Sequence, residues 1–416
     1  MDERARLVTI LERARERGAR GAEIFRVRRD VLEQTGSRAR PTLREERAYT
    51  VRVFLDGGRT GTGEGIEADE ALAVALAAAP NAPPDPHAGP AERMPVRNTG
   101  LGIDDPRHGT LSDADRVEVL QLAERSLAQG GLRPRSLRYR QVRARRAWMS
   151  SRGVEAEEGA TTYELTAEVI AGEWDVPHRI ASRHFSDVAS LPFGADLRRR
   201  AEPLARAAAL PDAPLPVVLE PRVMAELVRG FAPAFAATSR SFALALLGKR
   251  LASPHLHVTD DAGLHGGLQT CGFDERGVPP IAVALLKEGV VHGLFHDPES
   301  ARAVGLRPTG HVRDGAIRAT NLVVRPGSRT RNVILAELRD YLAPDRAPAV
   351  DLAGGRLVGL VPVVVVRGGE RVGTTRLSVD VPLAKVLGAV RELAADQERS
   401  AEVDASTVVL DPGALG

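Results

Sequence analysis

His255 and His257 stand two residues apart, a spacing that on a strand turns both rings to one face. Asp260, His265, His292 and His296 lie close by in sequence. A His-x-His pair with one further ligand is a workable zinc geometry. The spacing is generic and turn-forming residues interrupt it, so histidines on a strand surface are the plainer reading. Cys271, in TCGFDERG, is the only cysteine. It offers either a thiol nucleophile or a small residue in a tight turn, and the turn is preferred. A lone cysteine excludes an internal disulfide and any zinc site built mainly from thiolates. No G-x-S-x-G is present to place a nucleophilic serine.

The stretch Gly57–Gly65, GGRTGTGEG, invites a phosphate-loop reading. It lacks the Lys-Ser/Thr ending of a P-loop and does not match the dinucleotide fingerprint. Glycines at a hairpin and its return strand explain it better. The densest basic stretch, RPRSLRYRQVRARR at Arg133–Arg146, puts Arg138 and Arg140 on one strand face and Arg143 and Arg145 on the other. A phosphate-binding ribbon is one reading. A solvated strand pairing its arginines with Asp and Glu is preferred.

These residues must be carried by more than one core, because 416 residues exceed a single compact domain. A hydrophobic share of 43% and a charged share of 27% are ordinary for a globular chain. The net charge of +2 argues against a dominant nucleic-acid role. Lys249, Lys287 and Lys385 are the only lysines, a skew toward arginine that points to coding bias rather than binding. No apolar run approaches the roughly 18 residues of a membrane span. The N-terminus, MDERARLVTILERARERG, is amphipathic and lacks a signal-peptide core, so a cytoplasmic location is expected.

The periodicity predicts an α+β fold. Residues 3–17 read as a helix, Ala22–Val27 and Glu46–Leu55 as strands, and Glu67–Ala79 as a helix, which makes an N-terminal domain over 1–80. A Pro-rich linker spans 81–103. Ser112-Asp-Ala-Asp115 reads as a helix N-cap. Strands at Leu137–Met149 and Thr161–Ala171 and a helix at Gly194–Ala208 complete a central α+β domain over 104–210. These first two units are expected to carry mixed sheets. Residues 211–416 read as a β-rich C-terminal domain. It holds a strand at Val217–Leu219, a helix over Val223–Phe235, a strongly apolar strand at Leu357–Val366, a helix at Pro382–Ala395 and a last strand at Ser406–Leu410. The strand LVGLVPVVVV is too apolar for an exposed edge, so a dimer through this domain is expected unless the strand is buried within it.

From Pro214 onward the order of motifs resembles the TldD/PmbA family, the so-called modulators of DNA gyrase. The pieces are LPVVLEPRVMAELV, GKRLASPHLHVTDD, CGFDERGVPP, ALLKEGVVHGLFHDPESARAVG and RPTGHVRD. His311 stands where the family more often has Asn. The N-terminal AEIF, the strand into DGGRTGTGEG and the Ala-rich helix agree as well, so the resemblance covers nearly the whole chain. It implies one of two subunit kinds. One kind holds zinc on a helical His-Glu-x-x-x-His plus a cysteine near the C-terminus. The other, PmbA or TldE, lacks these ligands and pairs with the first. The motif falls near Val228, Arg229 and Pro233, none of which can act as ligand or base, and no cysteine follows Cys271.

The resemblance therefore implies a non-catalytic subunit of a heterodimeric zinc protease that degrades unfolded peptides or removes leader peptides. Zinc is expected in a TldD-like partner carrying His-Glu-x-x-x-His, with no cofactor in this chain and no nucleic-acid or membrane partner. Asp260, Asp261, Phe273, Asp274, Gly277 and His311 fall on recurrent family turns and are the candidate cleft-lining residues. Two alternatives stay open: a stand-alone homodimeric peptide-binding or regulatory protein, and an enzyme with a relocated metal site at His255 and His257.

Overall fold

The computed structural model describes residues 3–92, 94, 96, 99–129, 131–238 and 242–416. Of the expected 81–103 linker, Arg93, Pro95, Arg97 and Asn98 lie outside the described residues. The chain opens with α1 (Glu3–Glu16), β1 (Gly21–Thr35), β2 (Thr42–Phe54), β3 (Thr60–Gly65) and α2 (Ala68–Ala78). Next come α3 (Asp113–Gln129), β4 (Pro134–Ser150), β5 (Val154–Ala171), β6 (Trp174–Ser182), α4 (Phe185–Ser190) and α5 (Phe193–Leu204). The α+β class holds, but the first two units share one six-stranded sheet in the order β3-β2-β1-β4-β5-β6. Every pairing in it is antiparallel, where mixed sheets were expected. The join is β1 with β4, in register Val27↔Arg146.

β1 is far longer than the six residues its apolar core suggested. It continues through Arg28-Arg29-Asp30 because neighbouring strands supply opposite charge: Arg28 meets Glu45 at 2.7 Å and Arg29 meets Glu46 at 4.0 Å. Arg140 likewise meets Glu33 at 3.1 Å, and Arg146 pairs with Glu158. The arginine-rich strand is thus tied to carboxylates rather than left as a bare basic ribbon.

The register puts Ile24, Met149, Tyr139 and Tyr163 on one sheet face. Two helix groups cover that face. Leu7, Ile10, Leu11 and Ala14 of α1 pack with α2 over Ile24, Val51 and Met149. Val119, Leu120 and Leu127 of α3 pack with Leu197 of α5 over Tyr139, Tyr163 and Leu165. The Ser112 hydroxyl accepts from the Asp115 N–H at 3.3 Å, while the Asp115 carboxylate accepts from the Ser112 N–H at 2.7 Å, a reciprocal cap that starts α3. Glycines let α2 lie directly on β3: a Cβ at Gly61 would sit 2.0 Å from the Ala75 carbonyl oxygen, and one at Gly63 would sit 2.1 Å from that of Ala71. The glycine-rich stretch is a helix seat.

The C-terminal half begins with β7 (Val217–Leu219) and α6 (Pro221–Phe231) and is built on two large sheets, with a two-stranded ribbon of Val312–Arg313 and Ala316–Ile317 beside them. In the seven-stranded one, strand Arg356–Arg367 is paired on both sides, by Tyr341–Pro344 and Ala349–Asp351 and by Glu370–Pro382. Val361, Val363 and Val365 enter one core and Val364 and Val366 another, so this sheet is the layer shared by both. That internal burial removes the reason for expecting a dimer through Leu357–Val366. The second, six-stranded sheet includes Val258–Asp261 and Leu322–Val324. The helix expected over Pro382–Ala395 covers only Leu383–Gly388; Val390–Leu393 instead pairs with Val408–Leu410.

Gly63→Ala should lower stability by about 1–3 kcal/mol, read as a lower urea midpoint, because the helix must shift off β3. Gly159→Ala in the same sheet meets nothing within 4 Å and should change stability by less than about 0.5 kcal/mol. Equal midpoints for the two variants would contradict this account of the helix seat.

Candidate functional site

Helix α6 carries the positions where the family's metal motif is expected. Pro221 sits in its first turn, where its missing N–H costs nothing. Met224, Leu227, Val228 and Phe231 are buried at helical spacing. The helix stops at Phe231, short of the expected Phe235, and Ala232–Phe235 tightens into a 3-10 turn around Pro233. Gly230 lets the helix approach Val350; a Cβ there would lie 2.6 Å from that side chain.

The polar stripe of α6 is Arg222, Glu226 and Arg229, and all three are occupied. Arg222 reaches Glu226 at 2.7 Å and Asp345 at 3.1 Å. Glu226 accepts from the Ala347 N–H at 2.9 Å. Arg229 pairs with Glu402 and donates to the Ser400 carbonyl at 3.1 Å. Asp345 also receives Arg200 of α5 through two bonds of 3.1 Å, which ties the central unit to this helix. Just before the helix, Glu220 accepts from Arg331 at 2.9 Å and Arg371 at 2.5 Å. Burial would raise the Glu220 carboxyl, but the two guanidinium groups outweigh it and hold it below its usual range.

The three degenerate positions therefore do not converge. Val228 is in the core, Arg229 is ion-paired and Pro233 is exposed. A zinc ion needs three converging N, O or S donors, and these residues do not fit one. Among the described residues no three His, Cys, Asp or Glu side chains group as a metal site. His255 lies in a turn and His257 just before the strand Val258–Asp261, so the pair does not share a strand face as expected. His265 and His292 are exposed elsewhere, and His296 is buried. Cys271 is fully buried with Arg313 Nη2 2.6 Å from its sulfur.

The six candidate cleft residues are a structural core, with one partial exception. Asp260 and His311 are both fully buried. His311 Nε2 lies 3.1 Å from Asp260 Oδ1 and Nδ1 lies 2.8 Å from the Thr309 carbonyl, with the ring stacked on Phe295 at 4.4 Å. Thr320 donates its N–H to Asp260 Oδ2 at 2.5 Å. Asp274 accepts from the N–H groups of Arg276, Val278 and Val312 at 2.8, 2.9 and 3.0 Å. Gly277 has φ 69°, and a Cβ there would lie 2.4 Å from the Trp148 ring. Phe273 packs with Phe25, Val27 and Trp148. Only Asp261 is partly exposed, and its carboxylate accepts from the Gly263 N–H at 3.0 Å. Burial leaves the other five no surface toward a cleft in this chain, which corrects that expectation.

The residue that this turn exists to place is Arg276, which the sequence reading did not single out. Its side chain is fully buried and bridges Glu23 of β1 at 2.9 Å and Glu299, in the helix Pro298–Ala303, at 2.7 and 2.8 Å. Glu23 gave a usable signal: a carboxylate in the apolar strand AEIF must have a buried partner. Burial alone would lower the Arg276 guanidinium, but the two carboxylates more than reverse this. Burial would raise Glu299, and Arg276 holds it below its usual value instead.

Residues 212–412 match the PmbA/TldA metallopeptidase C-terminal domain. The C-terminal half of the chain thus carries the C-terminal domain of the TldD/PmbA family. A metalloprotease of Synechocystis sp. is 39% identical over 67 residues, 16% of this chain and 14% of the relative. A TldD-homologue metalloprotease of Haemophilus influenzae is 25% identical over 185 residues, 41% and 38% of the two chains. The matches thus span well under half of these relatives. Two solved structures share the fold over nearly the whole chain. TldE from Thermococcus kodakarensis has TM-score 0.81 at 17% identity, covering 97% of this chain and 98% of its own. A Thermotoga maritima protein described as a modulator of DNA gyrase has TM-score 0.83 at 19% identity, covering 98% and 99%. At such identities the likeness is one of fold.

Arg276→Met should cost about 3–5 kcal/mol, because Glu23 is left buried without its cation. Glu299 supplies stability that is present above its ordinary value of about 4.3 and is lost as pH falls through its lower folded value. The urea midpoint of the wild type should therefore fall more steeply below about pH 4 than that of Glu299→Gln. Parallel curves would contradict the Arg276–Glu299 assignment.

Proposed function

We propose that this chain is the non-catalytic subunit of a heterodimeric zinc metalloprotease, paired with a TldD-like subunit that carries His-Glu-x-x-x-His. One observation carries the reading: the polar stripe of α6 is closed by Asp345, Ala347 and Glu402, while the motif positions hold Val228, Arg229 and Pro233. A neutral-pH hydrolytic zinc site needs three protein ligands and a bound water. Here the same helix spends its polar groups on holding neighbouring strands. The substrates proposed for the complex are unfolded peptides or the leader segments of peptide precursors, in the cytoplasm. No helix of the described residues is long and apolar enough to cross a membrane.

The relocated metal site finds no support, since His255 and His257 lie on a turn and its exit, and among the described residues no group of three His, Cys, Asp or Glu includes them. The test is to purify the chain alone and after co-expression with a TldD-like subunit from the same genome. The expected outcome is a stable mixed complex by light scattering, with peptidase activity on an unfolded peptide only in the complex. Changing the motif glutamate of the TldD-like subunit should abolish that activity, whereas Arg229→Ala in this chain should leave it within a few-fold. Peptide cleavage by this chain alone, at rates matching the complex, would overturn the proposal.

A further inference from the structure

The sheet face opposite α1 and α2 meets the loop 267–271 across a small open cavity of about 120 Å³. The register explains why space is left there. Arg29 of β1 stands opposite Ala144 of β4, and Ala144 stands opposite Ala160 of β5. Two neighbouring alanines make a floor with no side chain tall enough to fill the gap. Arg29, Arg146 and Arg183 line it, and Gln269 and Thr270 border it from the loop.

Arg183 is buried, and its position is fixed by neutral oxygens alone. Nε donates to the Gly267 carbonyl at 3.1 Å. Nη1 donates to the Thr161 carbonyl at 3.0 Å and the Thr162 hydroxyl at 3.2 Å. Nη2 donates to the carbonyls of Thr270, at 3.3 Å, and Leu268. All its donors are used, yet none of these acceptors carries charge. Burial and the nearby Arg146 push this guanidinium down to about 10. Arg146 has Glu158, which also accepts from the Gly272 N–H at 2.6 Å. Arg29 is half-buried and has Glu46 only at 4.0 Å. Three guanidinium groups thus meet two carboxylates around one cavity, and the surplus positive charge sits where water is partly excluded.

We propose that this cavity binds a carboxylate of an extended peptide, with Arg29 as the contacting group and Arg183 and Arg146 supplying the field. The volume admits a carboxylate and little beyond the residue that bears it. A guanidinium with free donors is the group that recognises a planar carboxylate. Gln269 is exposed at the rim, where it can meet a peptide amide. This rests on the reading of the chain as a peptide-handling subunit. Its test uses the isolated chain, so its failure is separable from failure to assemble or to cleave.

The experiment is titration calorimetry of the full chain with N-acetylated alanine tripeptides bearing either a free or an amidated C-terminus. A third peptide is amidated and carries one internal Glu. The expected result is binding of the free acid at least tenfold tighter than the plain amide. Arg29→Ala should weaken the free acid about tenfold and leave the amide unchanged, and Arg29→Lys should recover part of the loss. Equal binding of the Glu-containing amide would show that side-chain carboxylates are accepted as well as chain ends, and weaker binding would assign the site to chain ends; both support the carboxylate reading. No detectable binding of either acidic peptide, equal affinity for free acid and plain amide, or an Arg29→Ala chain that binds the free acid as before would overturn it. Binding of inorganic phosphate without binding of either acidic peptide would overturn it too.

Discussion

A buried guanidinium between two carboxylates, on elements far apart in sequence, holds this molecule together. Arg276 can stay charged without water only because Glu23 and Glu299 meet it. Its backbone is placed by Asp274, which gathers three N–H groups, and by Gly277, whose positive φ and missing Cβ let the turn press against Trp148. Removing Arg276 leaves Glu23 buried and unmatched. The turn is therefore constrained in nearly every residue, and the constraint belongs to domain docking rather than to chemistry.

The same logic governs α6. Its apolar side is core, and its polar side is consumed by Asp345, Ala347 and Glu402. Asp345 also receives Arg200 from the central unit, so the helix lies at the crossing of two structural networks. Arg183 adds a third link, holding loop carbonyls of the C-terminal half against β5. In each case a buried arginine joins segments that no local sequence pattern connects. An arginine suits this role because one planar group can satisfy several carbonyls or two carboxylates at once.

How much of this was legible in the sequence follows from the range of the interactions. The cap at Ser112 and Asp115 and the apolar strand around Val363 are local, and their residue types announce them. The length of β1 was hidden because Arg28, Arg29 and Asp30 read as loop until Glu45 and Glu46 stand beside them. The shared sheet was hidden because β1 and β4 lie in units that each read as complete. Val390–Leu393 looked helical because the periodicity of Leu383–Gly388 runs on into it, while pairing with the last strand decides the outcome. At the candidate site, motif order drew attention to helix α6 and to the turns around Asp274 and His311. It misjudged the turns' role, since Asp274 and His311 look like surface polar residues until their buried partners are known.

The central claim is that α6 has become a structural helix with no capacity for a metal ion. Elemental analysis of the chain, purified alone in metal-supplemented buffer and desalted, tests it most directly. The account predicts zinc far below one equivalent per chain, unchanged when His255 and His257 are replaced by Ala. About one equivalent of zinc per chain, surviving desalting and removed by a chelator, would contradict it.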